Sequence, residues 1–77
     1  MEVKFLKAKD YEGTIRKVVD DKKRVVIGIV GTVEDLLKSR ILEYCDYSKT
    51  GWCFIPLSGN ERAKFGKTRD AVISNLK

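Results

Sequence analysis

Histidine is missing altogether, and cysteine occurs only as Cys45 and Cys53. Without imidazole, a tetrahedral zinc site would have to be completed by carboxylates, and general acid–base chemistry loses its most common side chain. The remaining carboxylates fall mostly on turns and helix starts, where no base and nucleophile pair is brought together. The expectation is therefore a protein that is not an enzyme and holds no metal or other cofactor. The two thiols, in a chain with no secretion signal, are expected to be reduced and packed as small apolar groups. No apolar run approaches the roughly 18 residues of a membrane helix. The opening MEVKFLKAKDYEG carries charges where a signal peptide would be apolar. A cytoplasmic address, or the host cytoplasm for a viral protein, is expected, with no membrane partner and no small-molecule substrate. Repeats, low-complexity tracts and linkers are lacking too. Seventy-seven residues make one domain, 1–77, near the lower size limit for a single core.

What is present is an ordinary apolar content of 43% and a net charge of +5. Cations are concentrated toward both ends of the chain and not in its middle. Such an excess favours polyanions at long range, and it equally keeps a small domain soluble.

Taken in order, VKFLKA (3–8) reads as a short strand, and KDYEG (9–13) as a connector in which Gly13 is free to take a positive φ. TIRKVVD and RVVIGIV form a hairpin of β-branched arms. A loop over Asp21–Lys23 pairs Val19 with Val25, Lys17 with Ile27 and Ile15 with Ile29, gathering the apolar residues on one face and leaving Gly28 on the other, at a bulge or close contact. Gly28 to Thr32 lacks the lysine of a phosphate loop and reads as a strand-to-helix turn. Thr32 is a good N-cap, with Asp35 at the capping-box position and Glu34 set to pair with Lys38. Val33, Leu36, Leu37, Ile41 and Tyr44 make a helical stripe. Arg40 falls inside that stripe, so its stem is expected to snorkel along the core edge.

Asp46 to Gly51 reads as a loop. The segment GWCFIPLSGNERAKFGKTRDAVISNL (51–76) then reads as a ββα unit. A two-residue turn at Gly59–Asn60 pairs Phe54 with Phe65, Ile55 with Lys64, Pro56 with Ala63 and Leu57 with Arg62. Trp52, Phe54, Ala63 and Phe65 would share an apolar face, opposite Cys53, Ile55, Arg62 and Lys64. Thr68 caps a final helix that turns Val72, Ile73 and Leu76 inward. The expected fold class is α+β: a small, mainly antiparallel sheet with two helices, in the order β-β-β-α-β-β-α.

Asn60 at the turn, Arg62 and Lys64 on one face, and Lys67 and Arg69 at the helix entrance are suited to following a phosphate backbone. With Trp52, Phe54 and Phe65 in the core, no aromatic stacking platform accompanies them. The order Trp52, Phe54, Gly59, Phe65, Thr68, Ala71, Leu76 resembles the last two strands and helix of AP2-type and arm-type integrase DNA-binding domains. That resemblance covers about the final third of the chain and implies a sheet that enters the major groove with the helix behind it. EGTIRKVV, followed by a basic turn and RVVIGI, is similar to the paired strands of KOW and other SH3-like modules of RNA-associated proteins.

Nucleic acid, with DNA foremost, is the partner expected first. The alternative is a protein-interaction module or inhibitor, of the kind phages use against a host enzyme, anchored by Tyr44, Tyr47 and Trp52.

Overall fold

Five antiparallel strands in sequence order, β1-β2-β3-β4-β5, form one sheet, and two short helices pack on it. The computed structural model describes residues 2–7, 9, 11, 13–41, 51–57 and 62–74. The elements are β1 (Val3–Lys7), β2 (Arg16–Asp20), β3 (Val25–Thr32), α1 (Val33–Lys38), β4 (Trp52–Pro56), β5 (Lys64–Gly66) and α2 (Arg69–Ser74). The order is the expected β-β-β-α-β-β-α. Leu76 and Ala8, placed by the sequence in the last helix and first strand, lie outside the described residues.

The helices sit on opposite faces. Successive strand residues point to opposite sides, and β4 divides accordingly. Cys53 and Ile55 join Ile15, Ile29, Val33 and Leu36 in a cluster with α1. Trp52 and Phe54 join Val18, Val30, Val72 and Ile73 in a cluster with α2, which also draws in Val3 and Phe5 of β1. Two small cores thus share one sheet. Each fully buried aliphatic or aromatic side chain in them stabilises the fold by about 1.5–3 kcal/mol.

The β2–β3 pairing differs from the expected register. Asp20 pairs with Val25 and Val19 with Val26, then a bulge shifts the ladder so that Val18 faces Gly28, Lys17 faces Ile29 and Arg16 faces Val30. The turn is one residue longer than expected, because Asp20 organises it. Its carboxylate accepts the backbone N–H groups of Lys22 and Lys23 at 2.9 and 3.2 Å, and its carbonyl accepts that of Arg24 at 2.6 Å. Arg24 takes φ 55° to close the turn. The bulge turns Ile27 toward the α2 side while Ile29 remains on the α1 side, so the single apolar face expected for this hairpin is split between the two cores. Gly28 lies beside the bulge as anticipated, and the reason is steric. A Cβ there would sit 2.4 Å from Phe54 Cζ and 2.5 Å from the Ile55 carbonyl oxygen.

α1 is shorter than the apolar stripe suggested. Thr32 caps it as expected, accepting the Asp35 N–H at 3.3 Å, and Glu34 pairs with Lys38 at 3.3 Å. The helix then ends in a Schellman motif. The Arg40 N–H donates to the Leu37 carbonyl and the Ile41 N–H to the Leu36 carbonyl, both at 3.1 Å, with Arg40 at φ 60°. Arg40 therefore does not snorkel along a helical face. It occupies the left-handed position after the helix, its side chain exposed, while Ile41 folds back onto the α1-side core.

Asp35 departs from the capping-box pattern in an informative way. Its Oδ2 accepts both the Thr14 backbone N–H at 2.9 Å and the Thr14 hydroxyl at 2.6 Å. With that proton committed, Thr14 Oγ1 can only accept from the Thr32 N–H and the Thr32 hydroxyl, each at 3.0 Å. One buttress thus joins the β1–β2 loop, the end of β3 and the start of α1. Gly13, at φ +75°, supplies the loop's left-handed turn and leaves room for the Asp35 carboxylate, which a Cβ would meet at 2.5 Å. The Thr14 hydroxyl bond, followed by the Thr14 backbone bond, holds the Asp35 carboxyl below the usual carboxylate range.

Candidate nucleic-acid interface

β5 is a three-residue edge strand, and its register decides where the C-terminal cations point. Trp52 pairs with Gly66, Cys53 with Phe65 and Phe54 with Lys64. This is one residue off the expected pairing, and a one-residue slip exchanges the two faces. Phe65, expected in the core beside Trp52 and Phe54, lies on the α1 side instead and is 38% exposed. Lys64 takes the expected place of Phe65, on the α2 side across from the buried Phe54. Two features pull the strand into this register. A Cβ on Gly66 would lie 2.8 Å from Val72 Cγ2, so the strand's glycine is needed under α2. Ala63, small and apolar, joins the α1-side cluster with Ile55.

Arg62 precedes β5 and is exposed. Lys67 is exposed in the bend before α2, whose first turn is capped by the Thr68 hydroxyl accepting the Ala71 N–H at 3.1 Å. Between described residues the ion pairs are Lys4–Asp21 and Lys38–Glu34, so Arg62, Lys64 and Lys67 pair with no described carboxylate. Asn60 lies outside the described residues.

Arg69 behaves differently. Its guanidinium carbon stands 4.2 Å from the ring centroid of Phe5, on β1, a stacking geometry worth about 0.5–2 kcal/mol depending on desolvation. β1 and β5 are the two edges of the sheet, which would be about 19 Å apart if flat, at about 4.8 Å per strand. Arg69, on a helix packed on β4 and β5, thus reaches a side chain of the far edge strand. The same face of β1 carries a cation that the sequence reading missed. Lys7 lies two residues beyond Phe5 on the same face of β1 and is exposed. One cross-strand row on the α2 side thus reads Lys7, Arg16, Val30, Phe54, Lys64. Period-two alternation through Val3, Phe5 and Lys7 was the available signal for Lys7. Arg16 is turned away from this group, its Nη1 donating to the carbonyls of Gly13 and Ile15 at 2.8 and 2.7 Å.

The sheet-in-groove arrangement implied by the resemblance to AP2-type and arm-type integrase domains needs the cations on the side away from the supporting helix. Here Lys64 shares its face with α2. Of the aromatic residues proposed as a protein anchor, Trp52 is half-buried against the α2-side core, and Tyr44 and Tyr47 lie outside the described residues. No group of three or more Cys, Asp or Glu among the described residues is arranged to hold a metal ion, and no helix among them is long and apolar enough to cross a membrane. No protein-family model, curated protein or solved structure matches this chain.

Proposed function

We propose that this chain is a small, non-enzymatic binding protein of the cytoplasm whose partner is nucleic acid, DNA foremost, held through its phosphates. The observation that carries the reading is the run of exposed Arg62, half-buried Lys64 and exposed Lys67 along the edge strand and its bend, none of them in an ion pair with a described carboxylate. Cations left unpaired close together at a sheet edge attract phosphates, and neutralising phosphates releases counterions. The test is fluorescence anisotropy with a labelled 20-base-pair DNA over a range of salt. Arg62→Ala with Lys64→Ala should weaken binding and reduce the steepness of the salt dependence by about two contacts' worth. Unchanged binding rules out this edge.

A protein-interaction module is the second reading, favoured by a separate observation. Leu6, Val26 and Leu57 are 49%, 39% and 61% exposed, and Leu6 and Val26 stand on the α1-side face beside Lys4 and Lys17. If that reading holds, the purified protein binds no nucleic acid probe at physiological salt, and replacing Leu6 and Leu57 by Ser abolishes association with its partner while the Arg62/Lys64 variant keeps it.

A further inference from the structure

Resting on the nucleic-acid reading above, we propose that α2 and the cations on its two flanks form a ridge that seats in the major groove of a B-form DNA duplex. One flank is Arg62, Lys64 and Lys67 at β5; the other is Lys7 on β1 with Arg69, stacked over Phe5. Between them the outward residues of α2 and its cap, Thr68, Asp70, Ala71 and Ser74, are exposed and short. A helix with its side chains is about 10–12 Å across, and short outward residues keep it at the narrow end. The B-DNA major groove is about 12 Å wide, so the ridge fits and each flank meets the phosphates of a different strand.

The same features disfavour the other nucleic acids. The major groove of an A-form RNA duplex is deep and too narrow for such a ridge. Single strands are held mainly by stacking bases on exposed aromatic rings. On the α2 side Phe54 is 2% exposed, Trp52 is half-buried in the core cluster and the Phe5 ring is covered by the Arg69 guanidinium. Phe65, the exposed ring among the described residues, points to the other face.

Anisotropy titrations of the full chain against a 20-base-pair DNA duplex, the RNA duplex of matching sequence and the single DNA strand test this. The expected result is at least a tenfold preference for duplex DNA over both alternatives. Lys7→Ala should lower the duplex affinity and reduce the magnitude of the logarithmic salt slope by about one. Lys17→Ala removes the same charge from the opposite face of the sheet and should leave the slope unchanged. Ala71→Glu, an exposed helical position, should cost at least tenfold while thermal unfolding shows the fold intact. Equal binding to the single strand or to RNA overturns the groove proposal but leaves the nucleic-acid reading standing, as do equal effects of Lys7→Ala and Lys17→Ala. Absence of binding to all three probes overturns both.

Discussion

Thr14→Val keeps the shape of the side chain and deletes the hydroxyl that joins the β1–β2 loop to the start of α1. The substitution removes a charge-assisted bond to Asp35 at 2.6 Å and two bonds accepted from Thr32 at 3.0 Å. A hydrogen bond to a charged group contributes about 1.5–3 kcal/mol, and the Thr32 N–H loses its partner in a half-buried setting, for a total loss of about 2–4 kcal/mol. At about 0.05–0.15 kcal/mol per residue, a chain of 77 residues has about 4–12 kcal/mol of stability, so this is a large share. Thermal unfolding should show it as a fall of about 4–8 °C per kcal/mol. Asp35→Ala should cost a similar amount. The pair together should cost far less than the sum, since each deletes the same bond. Asp35→Asn retains an acceptor at the same place and should cost less than Asp35→Ala.

The buttress also has a pH signature. Folding lowers the Asp35 pKa from an unfolded value of about 3.9, so its contribution is complete above that pH and lost as the pH falls through the folded value. The stability gap between the wild type and Asp35→Asn should therefore close in acid. A Thr14→Val loss below about 0.5 kcal/mol, or strict additivity in the double variant, would refute the network as a source of stability.

Three further substitutions probe the local geometry. Arg40→Gly relieves a left-handed backbone at φ 60° and should raise stability by about 0.5–1 kcal/mol, net of the added flexibility of the unfolded chain, as measured by urea unfolding. Gly28→Ala places a methyl group 2.4 Å from Phe54 Cζ and 2.5 Å from a carbonyl oxygen. It should cost about 3 kcal/mol or more by the same assay. The β4–β5 register predicts unequal costs for two phenylalanines. Phe54→Ala should lose about 3–5 kcal/mol and Phe65→Ala clearly less, because Phe65 is 38% exposed and Phe54 only 2%; equal losses would contradict the observed pairing.

How far the fold was legible depends on how far apart the deciding residues are. Caps act within three residues, so Thr32 and Thr68 were readable as helix starts, and the observed bonds to Asp35 and Ala71 match. The β-branched arms of β2 and β3 announced a hairpin, and the order of elements followed from such local patterns. Register was less legible. In β2–β3 it turned on Asp20 capturing the turn N–H groups and on a bulge beside Gly28, and in β4–β5 on Gly66 having to lie beneath Val72. A one-residue slip costs little in local propensity, yet it exchanged Phe65 for Lys64 on the α2 side.

The sequence by itself determined that this is a basic α+β chain with strand and helix starts at particular residues, because propensity, capping and alternation act over a few residues at a time. Only the tertiary structure decided that the helices take opposite faces, that Asp35 reaches Thr14, and that Arg69 crosses to Phe5 of the far edge strand. Those contacts join segments distant in the sequence, and no local pattern records them. The cations proposed to meet a partner are set by both. Local order strings Arg62, Lys64 and Lys67 along one edge, and the tertiary structure adds Lys7 on the far edge strand and Arg69 stacked over Phe5.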